Sequence, residues 1–173
     1  MEKNRFEITF VLLVVAQILV CNYFHFSYYV TLSILPLLIL CLPLRLNTLW
    51  SLLLAAAVGL AVDLLADGVV GLNAAALLPV AFVRKTVISA VFGSGLFARD
   101  EDISIRKHGR PKFALAIVLV QALFLVVYIA LDGAWTRPFW FNFLRFAASL
   151  LAGEVVSLLL AGLLVPDDRK QEL

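Results

Sequence analysis

Residues 59–79 read GLAVDLLADGVVGLNAAALLP, with two acidic side chains set into an otherwise apolar run. Asp63 and Asp67 are four residues apart, so on a helix they share one face. Ala55 and Gly59 precede them at the same interval, making one ridge that begins small and ends acidic. Small residues on such a ridge let a neighbouring helix backbone approach closely. Carboxylates at the end of a helix face the negative pole of its dipole and need compensation from elsewhere. Asp67-Gly68 is a turn-forming pair, and a second helix restarting near Gly71 supplies that compensation through its free N–H groups and the Asn73 amide. The stretch predicts a helical hairpin clasped by acids at its closed end.

The hairpin belongs to a chain of 173 residues that is 63% hydrophobic and only 15% charged. Its mean hydropathy of +1.01 is far above that of a soluble domain of this length. Several apolar runs reach the ~18 to 20 residues that a helix needs to cross a hydrocarbon core of roughly 30 Å. None shows the alternation of a membrane β-barrel. The reading is an all-α integral membrane protein, a single domain over residues 1–173. Six transmembrane helices are predicted at about 7–24, 28–44, 48–66, 70–91, 113–131 and 143–165. The opening MEKNR and the apolar run behind it resemble a signal peptide, but no A-x-A site follows, so the run reads as an uncleaved first helix. Cys21 and Cys41 both lie in apolar runs and behave as small hydrophobes, with no metal, cofactor or disulfide implied.

Orientation follows from the basic residues. With six spans and both termini inside, Lys3, Arg5, Arg45, Arg84, Lys85, Arg99, Arg106, Lys107, Arg110, Lys112, Arg169 and Lys170 are cytoplasmic, leaving Arg137 and Arg145 outside. That is the bias expected of cytoplasmic loops. Aromatics agree, because Tyr23, Phe24, Phe26, Tyr28 and Tyr29 gather at the outer interface with Trp135, Phe139, Trp140, Phe141 and Phe143. The one long connection, about 92–112, carries a basic segment at 99–112 that reads as topology-setting charge or as a docking site for a cytoplasmic protein or anionic lipid. Asp100, Glu101 and Asp102 interrupt it, which argues against a polybasic anchor.

Polar residues at membrane depth are the other signal. Arg84 and Lys85 interrupt the fourth span, about 20 Å along it at ~1.5 Å per residue. They read either as snorkelling side chains or, for Arg84, as one half of a buried pair with Glu154, aimed by a kink at Pro79. Glu154 falls near the bilayer middle, where a carboxylate marks either structural hydrogen bonding, with Gln17 or Gln121 at similar depth, or contact with a ligand or partner. Beside it, Ser149, Gly153, Ser157 and Ala161 recur every four residues as a helix-packing ridge.

No catalytic constellation accompanies these residues. Ser104 and Lys107 match S-x-x-K without its companion motifs, and His25 and His108 fall on opposite sides of the membrane. No catalytic, metal-binding or cofactor-binding residue is assigned, and no nucleic-acid signature is present.

Pro36, then LPLRLN at 42–47 with Arg45 and Asn47, then Gly59, Asp63 and Gly71-Leu72 within the opening stretch, together resemble the bacterial rod-shape-determining MreD family. The resemblance is best over about residues 30–85 and carries over Gly59, Asp63 and Gly71, and more weakly Pro36, Arg45 and Asn47. It implies a non-enzymatic scaffold in the bacterial inner membrane, part of the elongasome that directs lateral peptidoglycan synthesis and cell shape. The implied direct partner is MreC, and through it MreB, RodA and the transpeptidase partner of RodA. The implied fold is a six-helix bundle similar to the substrate-binding (S) subunits of energy-coupling factor transporters. Arg84, Lys85 and Glu154 are not features of that family. The alternative reading is a small-molecule-binding membrane subunit of a transporter, which requires a closed polar pocket near the outer face. An intramembrane enzyme is a third reading, disfavoured by the lack of a nucleophile and base.

Overall fold

The computed structural model describes residues 2–23, 30–67, 69–93, 95, 109–133 and 136–164. The belt positions Phe24, Phe26, Tyr28, Tyr29 and Trp135, both histidines, Ser104, Lys107 and most of the basic segment at 99–112 lie outside the described residues. The described residues form helices and turns, with no strand among them. In chain order the helices are α1 (Glu2–Tyr23), α2 (Leu35–Leu40), α3 (Thr48–Val62), α4 (Leu72–Phe92), α5 (Arg110–Leu131) and α6 (Phe139–Leu164). A wider π-helical turn, Asp63–Asp67, extends α3.

Four stretches are long and apolar enough to cross a membrane: Thr48–Ala66, Leu72–Phe92, Arg110–Leu131 and Phe139–Gly162. The apolar part of α1, Phe6–Asn22, is shorter. The chain is therefore all-helical with the character of a multi-pass membrane protein. Local sequence sets the helix starts. Pro36 and Pro111 sit in the first turns of α2 and α5, where a missing N–H leaves no gap. Pro138 offers its carbonyl to the amides of Phe141 and Asn142 as α6 begins.

The second predicted span, 28–44, is not a continuous helix. Residues 30–34 are non-helical, the helix occupies only Leu35–Leu40, and turns follow to residue 47. Pro36 disfavours helical geometry in the residues before it, and Pro43 has no N–H with which to extend the helix after it. Ser33 through Leu40 are all buried, so their hydropathy reflects a place inside the bundle rather than contact with lipid.

That short helix is the centre of the molecule. It packs against α4 and α5, with α1 and α3 also touching it. On the flanks, α4 lies between α3 and α5, while α6 packs on α5 and more lightly on α1. Leu37, Leu38, Leu77, Ile88, Phe113 and Phe124 fill the interior, all buried. In lipid, apolar surface gains little from leaving its surroundings, so this core holds chiefly by close packing and by the polar contacts it encloses.

Candidate functional site

Two groups of polar side chains organise the bundle, and the opening hairpin holds the first. Asp63 is completely buried at the end of α3. Its Oδ2 accepts from the backbone N–H groups of Gly71 (2.9 Å) and Ala74 (3.2 Å), and its Oδ1 from the backbone and side-chain amides of Asn73 (both 2.9 Å). A side chain at the N-cap normally takes the amides two and three residues on. Here the N-cap is Gly71, which has no side chain and sits at φ 97°, a left-handed conformation that favours glycine. Asp63 caps α4 from the preceding helix instead, placing its charge on the positive pole of α4. With four donors on its two oxygens, the carboxylate is saturated and has no free lone pair aimed at a substrate.

Gly59 makes that closeness possible. A Cβ there would lie 2.4 Å from the Cα and 2.5 Å from the N of Ala74, so only glycine lets α3 meet the first turn of α4. Asp67 closes the π turn, and α1 joins it through Asn22, whose Nδ2 donates to the Leu65 carbonyl at 2.9 Å. Of the remaining residues that carry the family resemblance, Pro36 is buried in α2, Arg45 is exposed, and Asn47 is the N-cap residue of α3 without a side-chain cap bond.

The second group serves the broken segment at 30–42. Irregular backbone at membrane depth is tolerated only where protein satisfies its peptide groups, and here four other helices do so. Gln17 on α1 behaves as a borrowed peptide: its Oε1 accepts from Ile34 N–H (3.0 Å) and its Nε2 donates to the Leu32 carbonyl (3.1 Å). Gln121 on α5 donates to the Ser33 carbonyl (3.1 Å), and Ser149 on α6 accepts from Thr31 N–H (2.8 Å). Arg84 on α4 donates through Nε to the Leu40 carbonyl (3.2 Å) and through Nη2 to that of Leu42. These carbonyls lie at the C-terminal end of α2, its negative pole, where a fixed cation is favourable.

Both sequence readings of Arg84 are corrected by this arrangement. The side chain does not snorkel, because it is fully buried. Nor does it pair with Glu154, neither of whose oxygens has a hydrogen-bond partner among the described residues. The short α2 captures the guanidinium because its terminal carbonyls are buried and unsatisfied by helix geometry. Glu154 likewise receives no amide from Gln17 or Gln121, which are turned toward residues 32–34. The ridge on α6 is buried at Ser149, Gly153, Ser157 and Ala161, and a Cβ on Gly153 would lie 2.5 Å from Gln121 Nε2.

One cluster escapes sequence reading. Arg145, almost fully buried near the start of α6, donates from Nε and Nη2 to Thr31 Oγ1 (3.2 and 3.0 Å) and from Nη1 to Asp132 Oδ2 (2.5 Å). Its guanidinium also lies over the Tyr128 ring, 5.8 Å from the centroid. Arg137 approaches Asp132 at 3.5 Å from the more exposed side. The signal available in the sequence was Arg145 itself, a basic residue on the side of the membrane that the charge bias leaves nearly empty. The broken segment thus descends from Asp132 at the C-terminal end of α5, past Gln121 near its middle, to Arg84 in the C-terminal half of α4. No family model, curated protein or solved structure matches this chain.

Proposed function

We propose that this chain is a membrane scaffold of the MreD type in the bacterial inner membrane. It binds MreC and, through MreC, joins MreB, RodA and the transpeptidase partner of RodA in directing lateral wall synthesis and rod shape. The observation that carries the reading is mechanical. Gly59, Asp63 and Gly71, on which the family resemblance chiefly rests, act in this chain as one device: close approach, cap and left-handed turn. In the proposed arrangement the bundle crosses six times, the second crossing being the broken segment with α2, and both termini are cytoplasmic, as the basic residues favour. The family resemblance implies for that arrangement a bundle similar to the S subunits of energy-coupling factor transporters. The transporter reading is weaker, because the six buried residues of α2 occupy the centre of the bundle where a pocket would have to open.

The test is affinity capture. Tagged chain co-expressed with MreC is expected to co-purify with it from native membranes, in detergent and in bilayer nanodiscs. An intact, well-expressed chain that captures no MreC in either medium would overturn the reading, and recovery of a transporter ATPase would replace it.

A further inference from the structure

Lys85 is a cation that this chain carries below the membrane surface without an anion. It lies on α4 seven residues, about 10 Å, before the end of the helix at Phe92. With 21 residues α4 is about 31 Å long, close to the ~30 Å of a hydrocarbon core, so the side chain leaves the helix beneath the headgroups. Its neighbour Arg84 turns inward and gives its donors to the carbonyls at the end of α2. Lys85 is only half-buried, and among the described residues no carboxylate pairs with it and no acceptor receives it.

What Lys85 faces is an open recess of ≈ 520 Å³, a size within the ~300–1,000 Å³ of small-ligand sites. Among the described residues Lys85, Thr86, Ser89 and Ala90 line it. Lys85 and Ser89 are one helical turn apart and Thr86 is adjacent, so an ammonium and two hydroxyls converge on one small area. Those are the donors that a phosphate recruits. The row that holds Thr86 and Ala90 continues toward the membrane interior as Phe82 and Leu78, 67% and 37% exposed. Along one face, α4 is therefore cationic and hydroxylic near its end and apolar beyond it, the order of head and tail in a lipid. Arg45, Arg110 and Lys112 are exposed at the same end of the bundle and raise its positive potential.

We infer that this recess binds one anionic phospholipid, whose phosphate takes the Lys85 ammonium and the Thr86 and Ser89 hydroxyls while an acyl chain lies along Phe82 and Leu78. A soluble phosphate matches the donors but neither the apolar row nor the depth. The site requires only that α4 crosses a membrane, so it stands or falls apart from the binding of MreC.

The test is native mass spectrometry of the full-length chain in mild detergent, titrated with dioleoyl-phosphatidylglycerol or dioleoyl-phosphatidylcholine, with thermal unfolding of each lipid-free variant alongside. Wild type is expected to bind one phosphatidylglycerol on the order of tenfold more tightly than phosphatidylcholine, whose choline offsets the phosphate charge. Lys85→Gln is expected to lose roughly that whole preference, and Lys85→Arg to keep it. Thr86→Val combined with Ser89→Ala is expected to weaken binding severalfold. Lys112→Gln, which removes a charge at the same end but outside the recess, is expected to bind as wild type does, and all lipid-free unfolding temperatures are expected to agree. Equal affinity for the two lipids overturns the site, as does Lys85→Gln binding phosphatidylglycerol like wild type. An equal loss from Lys112→Gln overturns it too, because the attraction then belongs to the whole basic end. Displacement of the lipid by millimolar inorganic phosphate assigns the donors to a soluble anion instead. A fall in the lipid-free unfolding temperature of Lys85→Gln that accounts for its lost binding gives Lys85 to the fold and overturns the inference.

Discussion

Asn73 gives Asp63 two hydrogen bonds at once, its backbone N–H and its side-chain amide both reaching the same oxygen, Oδ1, at 2.9 Å. With Gly71 and Ala74 on the other oxygen, one buried carboxylate fastens the end of α3 to the start of α4. Asp63→Leu strands these donors, each at roughly 1–3 kcal/mol if it stays buried. Folded yield of the purified protein is expected to collapse. Asp63→Asn, which keeps one acceptor oxygen, is expected to be intermediate. Asp67→Leu is expected to be milder, because Asp63 already occupies the first amides of α4. Near-native yields from both leucine variants in size-exclusion profiles would refute this account.

Gly59 and Gly162 separate packing from helix propensity. Both lie within helices, but a Cβ on Gly59 meets the Ala74 backbone while one on Gly162 meets nothing within 4 Å. Gly59→Ala is expected to destabilise by about 1–3 kcal/mol or more through overpacking against backbone that cannot yield. Gly162→Ala is expected to be silent or slightly stabilising. Paired thermal melts in one detergent would check the contrast.

Arg84 donates to both the Leu40 and the Leu42 carbonyls. Arg84→Met retains length but orphans these acceptors, at roughly 1–3 kcal/mol each. Arg84→Lys keeps the charge but not the planar fork, and it is expected to recover only part of the loss. Hydrogen exchange should rise first within residues 35–42. Equal protection of that segment in wild type and Arg84→Met would show that the guanidinium does not hold it.

Gln121 and Gly153 are expected to be energetically coupled. Gly153→Ala pushes a methyl group toward Gln121 Nε2, which donates to the Ser33 carbonyl. Gln121→Ala removes that bond and also the obstacle. In a double-mutant cycle the two changes together are expected to cost less than their sum, by about 0.5–3 kcal/mol. Strict additivity would place the two residues in separate environments.

The hairpin at 59–79 is legible in sequence because its determinants are local. The four-residue spacing, the Asp-Gly turn and the glycine restart all fall within one short stretch, and helix geometry converts them directly into a shared face and a pole. Composition likewise yields the helical membrane class, since only helices or closed barrels satisfy a backbone in lipid. Polar residues at depth are also visible as Gln17, Arg84, Gln121, Ser149 and Glu154, although their partners are not.

What only the tertiary structure decided is where the second apolar stretch lies and which groups serve it. Hydropathy cannot distinguish a helix facing lipid from a segment buried in a bundle, because both are apolar. The contacts that break and hold that segment join residues far apart in the chain, Ser33 with Gln121, Thr31 with Ser149 and Arg145, Leu40 with Arg84. No periodicity encodes such pairs. They exist because a backbone interrupted by Pro36 and Pro43 inside a buried, apolar interior must find donors and acceptors, and four neighbouring helices bring them within reach.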